Sequence, residues 1–264
     1  MRSFDWSEFS TVSAASLIAT AILMVVTALI GARIGRHSVV DVTWGGGFVL
    51  IAVVAALVGT GELWRRLLLL AIVALWGLRL AWHVFRRSIG KGEDPRYEEL
   101  LSKATGNTTL YALRKIYLTQ AIALWFVSLP IQVSAVAHGS VAAPVVIGVL
   151  LWAVGLTFEA VGDAQLNAFK ADSSNRGKIM DRGLWSWTRH PNYFGDACVW
   201  WGIYLVSASA WPGILTILSP VAMTYFLVFA TGARLLERSM AKRDGYPEYQ
   251  RRTSYFFPLP PKQP

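Results

Sequence analysis

The stretch TRHPNYFGD, residues 188–196, packs Arg189, His190, Asn192, Tyr193 and Asp196 into nine positions, and the apolar run that follows contains Cys198, Trp200 and Trp201. A guanidinium and an imidazole beside an amide, a phenol and a carboxylate can hold an anionic ligand or move a proton. Two more pairs stand four residues apart, Arg79 with His83 and Glu159 with Asp163. On a helix that spacing puts both members on one face, where two carboxylates repel unless they share a partner or a ligand.

The chain that must position these groups has 264 residues, is 54% hydrophobic with a mean hydropathy of +0.43, and is only 16% charged. That is too apolar for an ordinary soluble domain and reads as an integral membrane protein. A helix needs about 20 mainly apolar residues to cross a bilayer. Seven segments qualify as expected spans: roughly 14–33, 39–59, 66–85, 117–137, 144–168, 195–210 and 213–233. The sequence MRSFDWSEFS before the first lacks a basic leader region, so that segment reads as a retained helix and not a signal peptide.

Of the 25 Lys and Arg residues, only Arg2, Arg65 and Arg66 fall on one side of this seven-span arrangement and only Arg79 falls inside a span. The rest share the other side, which predicts an all-α protein with its N-terminus outside and its C-terminus in the cytoplasm. The same bias, with attraction to anionic headgroups, accounts for the net charge of +9 without nucleic acid as a partner. One cysteine excludes an internal disulfide and a Cys-rich metal cluster, and four scattered histidines argue against a His-based metal site.

The chain reads as a single membrane domain, 1–264, with cytoplasmic loops at about 86–115 and 170–192 and a cytoplasmic tail at 234–264. Gly92, Glu93 and Asp94 form a turn that caps a short helix from Pro95 to Lys103. The last span extends as a helix past Arg234 until Gly245 and Pro247 break it, and the final YFFPLPP cannot be helical throughout.

Ionisable groups inside a bilayer are costly, and their depth is informative. Asp41, Arg79, His83, Glu159, Asp163, Asp196, Arg234 and Glu237 all fall at one level, toward the cytoplasmic ends of their spans. They could form structural ion pairs, such as Arg79 with Asp41 or Glu159. The functional reading is a polar cavity open to the cytosol and rimmed by cationic loops, suited to an anionic soluble cofactor meeting a lipid substrate. WGGG at 44–47 is not a dinucleotide fingerprint and precedes an apolar helix, so its glycines are expected to serve close helix packing.

GLWSWTRHPNYFGDACVWWGIYL, residues 183–205, resembles the steroid 5α-reductase-like membrane reductases, in particular their bacterial branch. DVTWGGGF (41–48), LWGLRLAWHVFRR (75–87), GEDPRY (92–97), DAQLNAFK (163–170) and GYPEY (245–249) carry the same resemblance across most of the chain. It implies seven transmembrane helices, NADPH as cofactor and residence in a bacterial inner membrane. It also implies that Asn192, Tyr193 and Asp196 hold the cofactor, with Asp163 and Lys170, while Arg189 and His190 belong to the bacterial form of the motif. Arg and Lys suit a 2′-phosphate or diphosphate; Asp, Asn and Tyr suit ribose hydroxyls and the carboxamide. Glu159, Glu237 and Tyr246 are further cofactor-binding candidates, and Tyr249 shares with Tyr246 the option of being an interfacial turn.

In the implied reaction, hydride goes to the β-carbon of a double bond conjugated to a carbonyl, and an acid polarises that carbonyl. His83 is the first candidate for that acid, four residues after Arg79, where the steroid enzymes carry a tyrosine. Asp41 could stand for their span-2 glutamate. The exchange of tyrosine for histidine puts steroid specificity in doubt, and fatty acyl, prenyl and polyketide-like lipids stay open. Two other readings compete. Isoprenylcysteine carboxyl methyltransferases share an Arg-His-Pro-x-Tyr motif and a later Glu, and use S-adenosylmethionine. A non-catalytic membrane component of a lipid pathway would tolerate substitution at Asn192 and Asp196. The sequence leaves the oligomeric state open.

Overall fold

The computed structural model describes residues 4–230 and 232–262; Arg2 lies outside them. Among these residues every regular element is helical. In chain order the helices are α1 Trp6–Ile34, α2 Val39–Val58, α3 Leu63–Ser88, α4 Pro95–Ser102, α5 Thr108–Ala112, α6 Thr119–Val127, α7 Leu129–Ser134, α8 Ala142–Ala171, α9 Leu184–Trp187, α10 Pro191–Ala208, α11 Leu218–Tyr225, α12 Ala233–Met240 and α13 Tyr246–Arg252. Wider π-type turns occupy Leu113–Leu118 and Phe226–Ala230.

This is an integral membrane protein. Among the described residues, five helical stretches are long and apolar enough to cross a bilayer: Trp6–Ile34, Val39–Val58, Leu63–Ser88, Ala142–Ala171 and Gly213–Met240. Two of the seven expected spans take another form. Segment 117–137 divides into α6 and α7 because Pro130, which has no N–H, sits in the first turn of a new helix. At the break the Trp125 carbonyl accepts from Ser128 Oγ at 2.9 Å and Gln132 Nε2 at 2.8 Å, so side chains supply donors beside the interrupted ladder. Helix α10 is 18 residues long, but its first turns carry Asn192 and Asp196, which dilute its apolar content.

The chain folds as two compact units, Met1–Ala142 with Val206–Thr216, and Ala143–Leu205 with Ile217–Pro264. In the first, α2 crosses α3 at a pair of glycines. A Cβ on Gly77 would lie 2.6 Å from the Gly45 carbonyl oxygen, and one on Gly45 would collide with the Gly77 carbonyl. Only bare backbones approach so closely, and the contact lets Phe48 and Trp76, both fully buried, meet with ring centres 5.7 Å apart. The packing role expected for the glycines of WGGG is thus seen at Gly45 and Gly47, while Gly46 faces open space.

Local caps follow the sequence. Asp94 accepts from the Arg96 N–H at 2.9 Å and Pro95 opens α4. Glu93, expected to share in that turn, accepts from the Asp94 N–H and also reaches the start of α2, where it accepts from the backbone N–H groups of His37 and Ser38. Arg65, fully buried, donates to the carbonyls of Ala137 and Gly139, closing the loop after α7.

In the second unit α8 and α10 cross on glycines spaced by seven. A Cβ on Gly155 would stand 2.5 Å from the Gly195 carbonyl oxygen, and one on Gly202 the same distance from that of Gly148. Seven residues are nearly two helical turns, so the small residues form one seam down each helix.

Candidate functional site

The second unit holds a cavity of about 530 Å³. One wall is the end of α8 and the loop after it, with Leu166, Phe169, Lys170, Arg176, Lys178 and Ile179. The other comes from Trp185, Arg189 and His190 and from α12 and α13, with Leu236, Arg243, Tyr246 and Tyr249. Among the described residues its lining carries five cations, Lys170, Arg176, Lys178, Arg189 and Arg243, against one carboxylate, Asp172. The chemistry of this lining selects for anions, and its aromatic and aliphatic members give flat apolar surface beside the charge.

Behind the lining, Glu237 gathers four donors. It accepts from Arg189 Nε at 2.8 Å, from Tyr246 Oη at 2.8 Å, from Gln250 Nε2 at 2.5 Å, and meets His190 Nε2 at 3.1 Å. A carboxylate only accepts, so this contact makes His190 Nε2 the protonated ring nitrogen. His190 is buried, stacked on Tyr193 with ring centres 5.7 Å apart. Burial pushes the Tyr246 phenol up, and its hydrogen bond to Glu237 adds to the rise; burial does the same for Tyr249. Both hydroxyls therefore stay protonated donors at neutral pH, and Tyr249 spends its own on the Trp185 carbonyl at 2.6 Å.

A family model described as a protein of unknown function, DUF1295, matches residues 27–253. The chain belongs to the DUF1295 family. No curated protein and no solved structure matches it. The match takes in most of each unit and the whole cavity lining.

Of the candidate cofactor residues, Lys170, Arg189, His190 and Tyr246 line the cavity of this DUF1295 protein, and Glu237 stands directly behind three of them. Asn192, Tyr193 and Asp196 lie in the first turns of α10. Asn192 Nδ2 donates to Asp163 Oδ1 at 3.4 Å, tying α10 to α8. Glu159, Asp163 and Asp196 are all buried. Glu159 packs at the glycine crossing, where a Cβ on Gly195 would meet its backbone nitrogen at 2.6 Å.

Arg79 and His83 lie on α3 in the first unit, and Asp41 in the first turn of α2. Asp41 accepts from Arg96 Nη2 at 2.9 Å and from Tyr97 Oη at 2.5 Å, which fixes α4 to α2. Sequence reasoning missed Arg176, Lys178 and Arg243 as cavity cations because they were absorbed into the topological charge bias. It also missed Gln250 and Thr188, whose polar partners are distant in sequence. Among the described residues no three His, Cys, Asp or Glu side chains gather as a metal site.

Proposed function

We propose that this protein is an NADPH-dependent membrane reductase acting on a carbon–carbon double bond conjugated to a carbonyl in a lipid. The observation that carries the reading is the lining of the cavity, with its five cations against one carboxylate. A diphosphate with an added 2′-phosphate fits such a lining. S-adenosylmethionine, with a sulfonium and an ammonium against one carboxylate, is net positive and fits it less well, so the methyltransferase reading loses ground on electrostatics.

In this reading Lys170, Arg176, Lys178 and Arg243 hold phosphate oxygens, and Phe169 and Trp185 offer faces for ring stacking. Glu237 keeps His190 in one tautomer and Tyr246 in one rotamer, so the polar wall is ordered before ligand arrives. A bound nicotinamide supplies the hydride. The proton for the substrate carbonyl is assigned to an imidazole N–H of His83, on its four-residue spacing from Arg79 and the resemblance at 75–87. The bias of Lys and Arg puts the cationic loops and the C-terminus in the cytoplasm, with seven crossings that include α6–α7 and α10. The lipid enters from the bilayer.

The test is the thermal midpoint of detergent-purified protein with NADPH, NADH or S-adenosylmethionine. A ligand that binds only the folded state at about 100 times its Kd stabilises by about 2.7 kcal/mol. NADPH should raise the midpoint most. A rise with S-adenosylmethionine alone would move the assignment to methyl transfer, and no rise with any would favour a non-catalytic role.

A further inference from the structure

The last segment of the chain runs alongside Trp187, Thr188 and Arg189, where the RHPNY motif begins, and is bonded to each of the three. Thr188 and Ser254 form a parallel β-bridge, and the Arg189 N–H donates to the Ser254 carbonyl at 2.9 Å. Thr188 Oγ1 donates to the Phe256 carbonyl at 2.8 Å, and the Leu259 N–H to the Trp187 carbonyl at 3.0 Å. Tyr255 sets its ring edge-on to His190 with centres 5.5 Å apart, and Phe256 joins Ala197 and Val228 in a buried apolar cluster.

Arg189 is the clasp of this arrangement. Its Nη1 donates to the carbonyls of Gln250 at 3.0 Å and Thr253 at 2.8 Å, its Nε donates to Glu237, and its guanidinium lies over the Tyr255 ring at 5.3 Å. Three of the five N–H donors of a guanidinium are thus spent inside the protein. A lysine ammonium keeps the charge but cannot reproduce that planar fork.

We infer that Arg189 is a positioning residue: it holds the segment Thr253–Leu259 against the motif, and that segment sets His190 in the cavity wall, whereas the other lining cations pair with the anion. The binding half of this inference rests on the anionic-cofactor reading above; the structural half does not.

The experiment measures hydrogen exchange of the 253–262 backbone and NADPH affinity across a salt series in the full-length protein, for Arg189→Lys, Arg189→Ala, Thr188→Val and Arg243→Lys. Arg189→Lys should speed exchange as much as Arg189→Ala and weaken NADPH about tenfold, with the salt dependence of binding unchanged, because no ligand charge contact is lost. Thr188→Val, nearly isosteric and uncharged, removes the hydroxyl that donates to the Phe256 and Tyr255 carbonyls and accepts from the His190 N–H; it should speed exchange and weaken binding about threefold. Arg243→Lys should leave exchange as in the wild type. Wild-type affinity in Arg189→Lys, or a shallower salt dependence in Arg189→Ala, would overturn the proposal and make Arg189 an anion ligand. Unchanged exchange in all Arg189 and Thr188 variants would also overturn it. Absence of NADPH binding by the wild-type protein would defeat the cofactor reading, while the exchange data would still decide whether Arg189 clasps the segment.

Discussion

The Arg96 guanidinium meets the Asp41 carboxylate at 2.9 Å, and the adjacent Tyr97 hydroxyl reaches its other oxygen. A carboxylate that reads from sequence as part of a catalytic centre thus holds a loop helix on the first turn of α2. Burial, with the nearby Asp41 charge, drives the Tyr97 phenol far up, so it remains a donor at every physiological pH. Asp41→Asn should lower stability by about 1 kcal/mol, since the ion pair is partly solvated, and should speed proteolysis within 89–103. Lost turnover with unchanged proteolysis would return Asp41 to a direct chemical role.

Glu93 makes the second tie between that loop and α2. Burial alone would raise its pKa, but hydrogen bonds from Ser38 and from the backbone N–H of His37 and Asp94 outweigh it and hold the carboxyl below its ordinary 4.5. A depressed folded pKa contributes stability that is complete above the unfolded value and lost as pH falls through the folded one. The thermal midpoint should therefore fall between about pH 5 and the lower folded pKa, and Glu93→Gln should lack that part of the acid dependence. An identical acid profile in the variant would show that the tie contributes nothing.

The helix crossings make a sharp pair of expectations. Gly45→Ala forces a methyl group into the Gly77 carbonyl, whereas Gly46→Ala adds one in open space. The first should cost about 1–3 kcal/mol from overpacking, and the second should be neutral or gain up to about 1 kcal/mol from helix propensity. Thermal midpoints of the two variants, measured side by side, test whether α2 and α3 cross where the structure places them.

How far the sequence revealed this arrangement depended on the range of the interactions involved. The cap at Asp94 and Pro95 and the apolar runs of the long helices are written within a few residues and are legible, whereas the break expected at Gly245 and Pro247 is not where the helix stops: α12 ends at Met240, and Gly245 and Pro247 open α13. The apolar run 117–137 hides the division at Pro130, and donors from Ser128 and Gln132 help to make such a break tolerable. Glu237 was singled out by its depth alone. That it gathers Arg189, His190, Tyr246 and Gln250 depends on chain segments far apart in sequence, which neither periodicity nor composition reports.

If the cavity holds phosphates, its outer cations should contribute separately. Arg243→Gln should weaken NADPH binding about tenfold, or about 1.4 kcal/mol, and flatten its salt dependence. His83→Phe should leave NADPH affinity intact and abolish reduction of an enone lipid. Equal affinity in Arg243→Gln, or full turnover in His83→Phe, would remove the corresponding assignment.

The arrangement around Glu237 allows a rescue experiment. Three donors meet Oε1, from Arg189, His190 and Tyr246, while Gln250 alone meets Oε2. An amide at 237 can keep its oxygen toward the three, but its NH2 then faces the NH2 of Gln250, which must turn over to accept. Glu237→Gln thus preserves most contacts and loses their charge assistance, an effect of about 1–3 kcal/mol. Adding Gln250→Glu returns one negative charge to the same cluster, 2.5 Å from its former place. The double variant should recover much of the thermal midpoint lost in Glu237→Gln, and Gln250→Glu alone, with two carboxylates face to face, should be less stable than the double. A double variant no better than the sum of its parts would mean that the shape of the carboxylate at 237, and not the charge it brings, is what Arg189 and His190 require.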